Sequence, residues 1–328
     1  MKKMINSTHV EGLLYDHKLQ RKVSGANSKH PGTEFISGEL QVATNNAHTN
    51  IVPIHFTYVT ATTAKGTENA TYAILSDIID GKLGTIMANG EDGADKVRVD
   101  SSIAVNDFYT DRNGEETLIS AKRIENGFVH KTNKISEDEK QRSTFDTDIL
   151  IVGVAHKDAV ENDAGKITSP EKAVIDGRIF SYGGKILPVQ FSAINPQAIN
   201  YFEGLDASMK QPVFTHVKGQ IISEQTVRQI VTESAFGAPD VREIPTNHKE
   251  YVITWAASET YDFGDEDVLT FDDLARMGAE RETYLATVKT RNEEYKAARA
   301  NAGGTSFTKP ATASANTKKA PAAGEYNF

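Results

Sequence analysis

The chain repeats itself, and that repeat restricts the possible folds more than any other feature. Ile36-Ser37-Gly38-Glu39-Leu40 is followed, after a polar loop, by Ile51-Val52-Pro53-Ile54-His55-Phe56. Ile175-Asp176-Gly177-Arg178-Ile179 is followed, after Gly183-Gly184, by Ile186-Leu187-Pro188-Val189-Gln190-Phe191. Both read Ile-x-Gly-x-aliphatic, a hairpin connection, then two aliphatics, Pro, aliphatic, x, Phe. Gly38 and Pro53 lie 15 positions apart, Gly177 and Pro188 only 11. The difference falls in the connection, where insertions are tolerated. Phe56 and Phe191, in register with Ile54 and Val189, are expected in the core.

The likeness extends in both directions. Upstream stand Val10-Glu11-Gly12-Leu13-Leu14 and Ile151-Val152-Gly153-Val154; a glycine inside a strand pattern marks a bulge or bend, as a curling sheet requires. Downstream, Tyr72, Leu75 and Ile79 recur at helical spacing before Gly81, and Asn195-Pro196 opens a second short helix through Ile199 and Phe202 to Gly204. Two strands follow each helix. Val97, Val99, Ile103 and Val105 run to a hairpin at Asn113-Gly114, from which Leu118-Ile119 returns. Val213, Val217 and Ile221 are followed, after a longer excursion, by Tyr251-Val252-Ile253-Thr254-Trp255. Five strands with a helix between the third and fourth is the order of the OB-fold, a small Greek-key barrel.

The expected fold is therefore mainly β: two tandem OB-like five-stranded barrels, a C-terminal α-helix and a disordered tail. The expected segments are 1–130 for the first barrel with its basic N-terminal segment, 131–147 for a charged connector, 148–262 for the second barrel, 263–301 for an acidic helix and 302–328 for the tail. Thr270 and Asp273 resemble a helix cap, with the helix running from about 271 to 300. The tail is Ala, Gly, Ser, Thr, Lys and Pro with almost nothing to bury.

Charge is distributed unevenly. The whole chain of 328 residues carries 36 Lys+Arg against 45 Asp+Glu, which excludes a uniformly basic coat. Residues 1–30 hold six bases against two acids, whereas residues 259–294 hold eleven acids against four bases. There is no cysteine, hence no disulfide framework or thiol nucleophile. No apolar run is long enough for a membrane span, and MKKMINST lacks a signal core; a reducing cytoplasm is expected, a host's if the chain is viral.

Catalytic motifs are missing: no phosphate loop, no GxGxxG after a strand, no HExxH, no GxSxG. Asp111 to Glu116 reads as a hairpin turn rather than a calcium loop. No enzyme activity, metal or cofactor is expected. A binding surface has better support. On the fourth strand of the second barrel Val213, Thr215, Val217 and Ile221 point to one face and Phe214, His216, Lys218 and Gln220 to the other. An aromatic, an imidazole and an ammonium in a row suit a single strand of nucleic acid, whose bases stack while cations follow the phosphates. Lys96 and Arg98 occupy the equivalent face of the first barrel, Arg178 and Phe180 share a face of the second strand, and Trp255 shares a face with Tyr251. For Phe180, Phe214 and Trp255 core packing is the competing reading. The loop after the first strand borders an OB groove, and Tyr15, Lys18, Arg21 and Lys22 lie there, with a solvated surface loop as the alternative.

With His9-Val10-Glu11-Gly12-Leu13, Phe35-Ile36-Ser37-Gly38-Glu39-Leu40, the matching pair around Gly153 and Gly177, and an Ala/Thr/Pro/Gly-rich tail closing on Phe328, the chain resembles phage-type single-stranded DNA-binding proteins. The tip departs from bacterial tails, with Glu325 its only acid and Asn327 in place of Pro. That resemblance implies single-stranded DNA, or RNA, as partner in replication or recombination, and a tail that docks a replication or recombination protein. The acidic helix is expected to compete for the groove. The alternative from another class is a viral structural or assembly protein built from β-barrels.

Overall fold

A computed structural model describes residues 4–26, 28–112, 115–162, 167–232, 236, 240–262 and 268–301; the tail expected over 302–328 and the Asn113-Gly114 turn lie outside them. The strands are β1 (Asn6–His17), β2 (Gln20–Val23), β3 (Glu34–Ala43), β4 (Ile51–Thr60), β5 (Lys96–Arg112), β6 (Glu115–Lys131), β7 (Ser143–Lys157), β8 (Val160–Glu161), β9 (Ile167–Ser169), β10 (Lys172–Phe180), β11 (Ile186–Ala193), β12 (Val213–Thr232) and β13 (Asp240–Ala256). The helices are α1 (Ala70–Ile79), α2 (Ile86–Asn89), α3 (Pro196–Gly204) and α4 (Phe271–Asn301).

Pairing closes two circuits of identical order. In the first, β1 pairs antiparallel with β3 and β5, β3 with β4 and β5 with β6, and β4 meets β6 in parallel at Ile54↔Ile124. In the second, β7 pairs with β10 and β12, β10 with β11 and β12 with β13, and β11 meets β13 in parallel at Ser192↔Val252. Each circuit is a five-stranded OB-like barrel with its helix, α1 or α3, between the third and fourth strands. The circuits join where β1 pairs antiparallel with β7, from Asn6↔Thr147 to Val10↔Ser143.

The repeated glycine has a steric cause. Gly38 sits at φ +134°, and a Cβ there would lie 2.2 Å from the Lys18 carbonyl oxygen; a Cβ on Gly177 would lie 2.4 Å from the Ile149 side chain. Each also marks a register shift in its strand, the kink that lets a short sheet close on itself. Ile36, Leu40, Val52 and Ile54 of the first motif and Ile175, Ile179, Leu187 and Val189 of the second, with Phe56 and Phe191, share one continuous core that also holds Val10, Leu14, Phe145 and Ile149.

Asn69 caps α1 through Thr71 N (3.1 Å) and Asn195 caps α3 through Gln197 N (2.8 Å). Leu75 and Ile78, and Ile199 and Phe202, are the buried apolar residues of these helices. Thr270 and Asp273 cap α4 reciprocally, with Asp273 N donating to Thr270 Oγ1 at 3.1 Å and Thr270 N to Asp273 Oδ2 at 3.4 Å. Among the described residues no helix is long and apolar enough to cross a membrane.

Two features were not anticipated. β7 begins at Ser143, so residues 143–147 belong to a strand rather than to the charged connector. The fourth and fifth strands of each barrel also outgrow it, the first pair as its expected hairpin requires, the second beyond expectation. β5 and β6 stay paired out to Arg112↔Glu115, and β12 and β13 out to Thr232↔Asp240, so the expected excursion between Ile221 and Tyr251 is largely sheet. Each arm lies on the other barrel. Lys122 of the first arm donates to the Gln190 carbonyl of β11. On the second arm Ser223 N donates to Asn50 Oδ1 (2.6 Å) and Gln225 N to the Thr49 carbonyl (3.0 Å).

Candidate nucleic-acid interface

The outer surface of the second and third strands is where an OB barrel receives a chain-like ligand, flanked by the loops after strands one and four. On the second barrel this surface is β10–β11. Ile175 and Ile179 turn inward, so Lys172, Asp176 and Arg178 turn outward. The β5–β6 arm closes one side and β13 the other, leaving an open cleft of about 520 Å³. Lys122, Lys157, Lys172, Arg178, His248 and Lys249 line it against two acids, Asp176 and Glu250.

The acids are engaged. Lys172 Nζ lies 2.5 Å from Glu250 Oε1, which also accepts from Ser192 Oγ at 2.5 Å. Burial alone would raise Glu250, but these bonds hold its carboxyl below the ordinary range. Gln190 Nε2 donates to Asp176 Oδ1 at 2.9 Å. Lys157 and Lys249 are exposed and, among the described residues, carry no ion pair. Lys157 sits directly opposite Lys172 in the β7–β10 ladder, which puts an exposed ammonium beside the Lys172–Glu250 pair. Burial lowers Arg178, with Asp176 opposing the shift. Lys122 enters over the rings of Tyr251 (3.9 Å) and Phe191 (5.2 Å), and burial pulls its ammonium down to about 7.

The first barrel presents a different surface. Glu39 and His55 pair at 3.5 Å, Arg123 and Glu125 at 3.0 Å, and burial lowers His55. Beyond them Phe35 and Tyr58 pack ring to ring at 4.5 Å, Tyr58 43% exposed. Strict alternation from Ile54 and Phe56 would turn Tyr58 inward. Ile36 instead pairs with Val59 and Gly38 with Phe56, so two residues of β4 oppose one of β3. That bulge turns Tyr58 out. This aromatic pair was missed because alternation carries no mark of an inserted residue.

The residues singled out in the sequence scatter. Phe180 and Phe214 are 1% and 2% exposed, so neither is a stacking platform. They pack edge to face at 5.9 Å in a small cluster with Leu150, Val268, Leu269 and Met277. The chain before α4 covers them: Tyr261 N donates to the Phe214 carbonyl at 2.8 Å and the two rings lie 4.8 Å apart. His216 is also committed, with Nδ1 2.8 Å from Asp148 and Nε2 2.9 Å from Asp146. Tyr261 OH donates to the same Asp148 at 3.2 Å, and burial first, then Asp148, pushes the phenol up to about 12.

Trp255 does reach solvent, 50% exposed, with Lys218 Nζ 5.5 Å from its ring centre and Asp146 3.2 Å from that ammonium. It does not share a face with Tyr251, which is buried. Lys218 pairs with Trp255 but Gly219 with Ile253, and the extra residue reverses the alternation. Arg21 is tied to α1, 2.9 Å from Asp80 and 2.5 Å from Ser76 Oγ. Lys18 and Lys22 are exposed and Tyr15 half-buried. Arg98 pairs with Asp100 at 3.1 Å. Lys96 lines a separate cavity at the junction of the barrels.

The acidic helix does not occupy the cleft; none of its residues lines it. Its bases hold it to the β5–β6 arm. Arg281 Nη1 and Nη2 lie 2.7 and 2.5 Å from Asp107, and Lys296 lies 3.2 Å from Asp111 and 2.9 Å from Glu116.

A family model described as YorF matches residues 5–291. No curated protein matches significantly in sequence. Among solved structures, a deletion mutant of the single-stranded DNA binding protein from Thermus aquaticus overlaps at a TM-score of 0.43 and 10% identity, over 81% of this chain and all of that one. An overlap of that depth speaks to neither ligand nor function.

Proposed function

The chain belongs to the YorF family, and we propose that it binds single-stranded nucleic acid, DNA in the first instance, without regard to sequence. One observation carries this reading. The outer face of β10–β11, where OB barrels receive oligonucleotides, gathers four lysines, an arginine and a histidine around a cleft with two acids, Glu250 held by Lys172 and Asp176 hydrogen-bonded to Gln190. Cations in an open groove track a phosphate backbone, and neutralising phosphates releases counterions, so such binding weakens with salt. Phe35 and Tyr58 offer a stacking platform on the corresponding strands of the first barrel, and stacking is indifferent to base identity. Covering exposed strands during replication or recombination is the role this chemistry fits.

Anisotropy of a labelled poly-dT oligonucleotide tests the proposal. Binding at about 50 mM salt that falls away steeply as salt rises supports it. An anisotropy that stays flat with added protein at that salt rejects it.

A further inference from the structure

A second basic site lies away from the cleft, where the β3–β4 turn, the start of β5 and the connector from β6 to β7 enclose a cavity of about 350 Å³. Arg142 lines it and is 6% exposed. Its Nε donates to the Ser136 carbonyl at 2.6 Å and its Nη1 to Asn46 Oδ1 at 2.7 Å. Both acceptors are neutral. Among the described residues no carboxylate lies within 4.0 Å of this guanidinium, and Nη2 has no acceptor.

A buried guanidinium is ordinarily matched by an anion, because removing its charge from water is costly. Lys96, half-buried and without an ion pair among the described residues, lines the same space, as does His48. Two carboxylates also line it, Glu91 and Glu137, but both are exposed and therefore screened. Glu91 lies 3.8 Å from His48 Nε2. The buried charge in this cavity is positive, the exposed charge negative.

We propose that this cavity is an anion site for a phosphate group, held by Arg142 and Lys96. A guanidinium with a free N–H edge suits the oxygens of a phosphate. The group is either a phosphodiester of a bound strand or a free phosphate. The turn that forms one wall also holds Thr49 and Asn50, which bond the β12–β13 arm, so an occupant would brace both barrels. The site stands independently of the cleft.

The test uses the full chain with inorganic phosphate as probe, against sodium chloride at equal ionic strength, reading the thermal midpoint. The expected result is a saturable rise with phosphate alone. Arg142→Gln and Lys96→Gln should each weaken the apparent affinity about tenfold or more, the loss of one charge-assisted hydrogen bond. If Arg142→Gln fails to fold, Lys96→Gln decides. Equal shifts with chloride, or shifts unchanged in the variants, overturn the proposal. The source follows from the poly-dT oligonucleotide. A strand phosphate seated here means that Lys96→Gln flattens the salt slope by about 0.7, whereas a free phosphate leaves that slope alone. Lys249→Gln in the cleft should leave the phosphate response intact, which separates failure of one site from failure of the other.

Discussion

Replacing Arg281 by Met should weaken the hold of α4 far more than removing its other polar contacts. Asp107, on β5, has a fully buried side chain, and the Arg281 side chain is 13% exposed. Two N–H···O bonds of 2.7 and 2.5 Å join them, and Ser120 Oγ donates to the same carboxylate at 2.6 Å. Arg281→Met leaves Asp107 buried with one hydroxyl donor, a loss of about 3–5 kcal/mol for a broken buried pair. Lys296 with Asp111 and Glu116 is a surface arrangement worth at most about 1 kcal/mol. The cost is read from urea unfolding, or from amide exchange across residues 278–298 if the helix peels away first. Replacing both partners, Asp107→Leu with Arg281→Met, should recover most of the loss, since an apolar pair of similar volume replaces a buried ionic one with little penalty. A single substitution costing under about 0.5 kcal/mol, or a double no better than the single, refutes the assignment of Arg281 as the anchor.

Lys122 titrates near 7 in the folded chain against 10.5 ordinarily. Between those values the unfolded chain holds a proton that the folded chain has released, so stability rises with pH through that window. Relative to Lys122→Met, the urea midpoint of the parent should climb from about pH 7 to about pH 10; a difference flat across that range contradicts the burial of the ammonium. Tyr58→Ala should weaken poly-dT binding by about 1–3 kcal/mol, one stacked base, while leaving unfolding nearly unchanged; a stability loss without a binding loss would make the Phe35–Tyr58 pair structural. Leu269→Ala should cost about 2–5 kcal/mol by opening a cavity over Phe214, read as a lower urea midpoint, and an unchanged midpoint would mean that Leu269 does not seal that cluster.

The barrel topology was legible because the motif around Gly38 and Gly177 is short, local and enforced by steric contact. The helices around Leu75 and Phe202 were legible from caps and spacing. The sites were less so, for two physical reasons. Bulges in β4 and β13 reverse the alternation, which turned Tyr58 outward and separated Trp255 from Tyr251. Long-range covering is also silent in local pattern: Phe180 and Phe214 do point away from the barrel core, as alternation requires, yet Leu269 and Met277, far along the chain, bury them. The cleft draws Lys122, Lys157, Lys172, Arg178 and Lys249 from β6, β7, β10 and β13, and only Arg178 stood out beforehand. Their convergence depends on an arm of one barrel reaching the other.

The salt dependence of poly-dT binding by a cleft variant tests the central claim most directly. Lys157 and Lys249 are exposed and unpaired among the described residues, so Lys157→Gln with Lys249→Gln should leave the fold intact. If each meets one phosphate, the slope of log K against log salt should flatten by about 1.4 relative to the parent chain. The control Lys289→Gln on α4, outside the cleft, should keep the parent slope. A double variant that binds with the parent's slope, or a control that loses as much, would contradict placement of the strand on β10–β11.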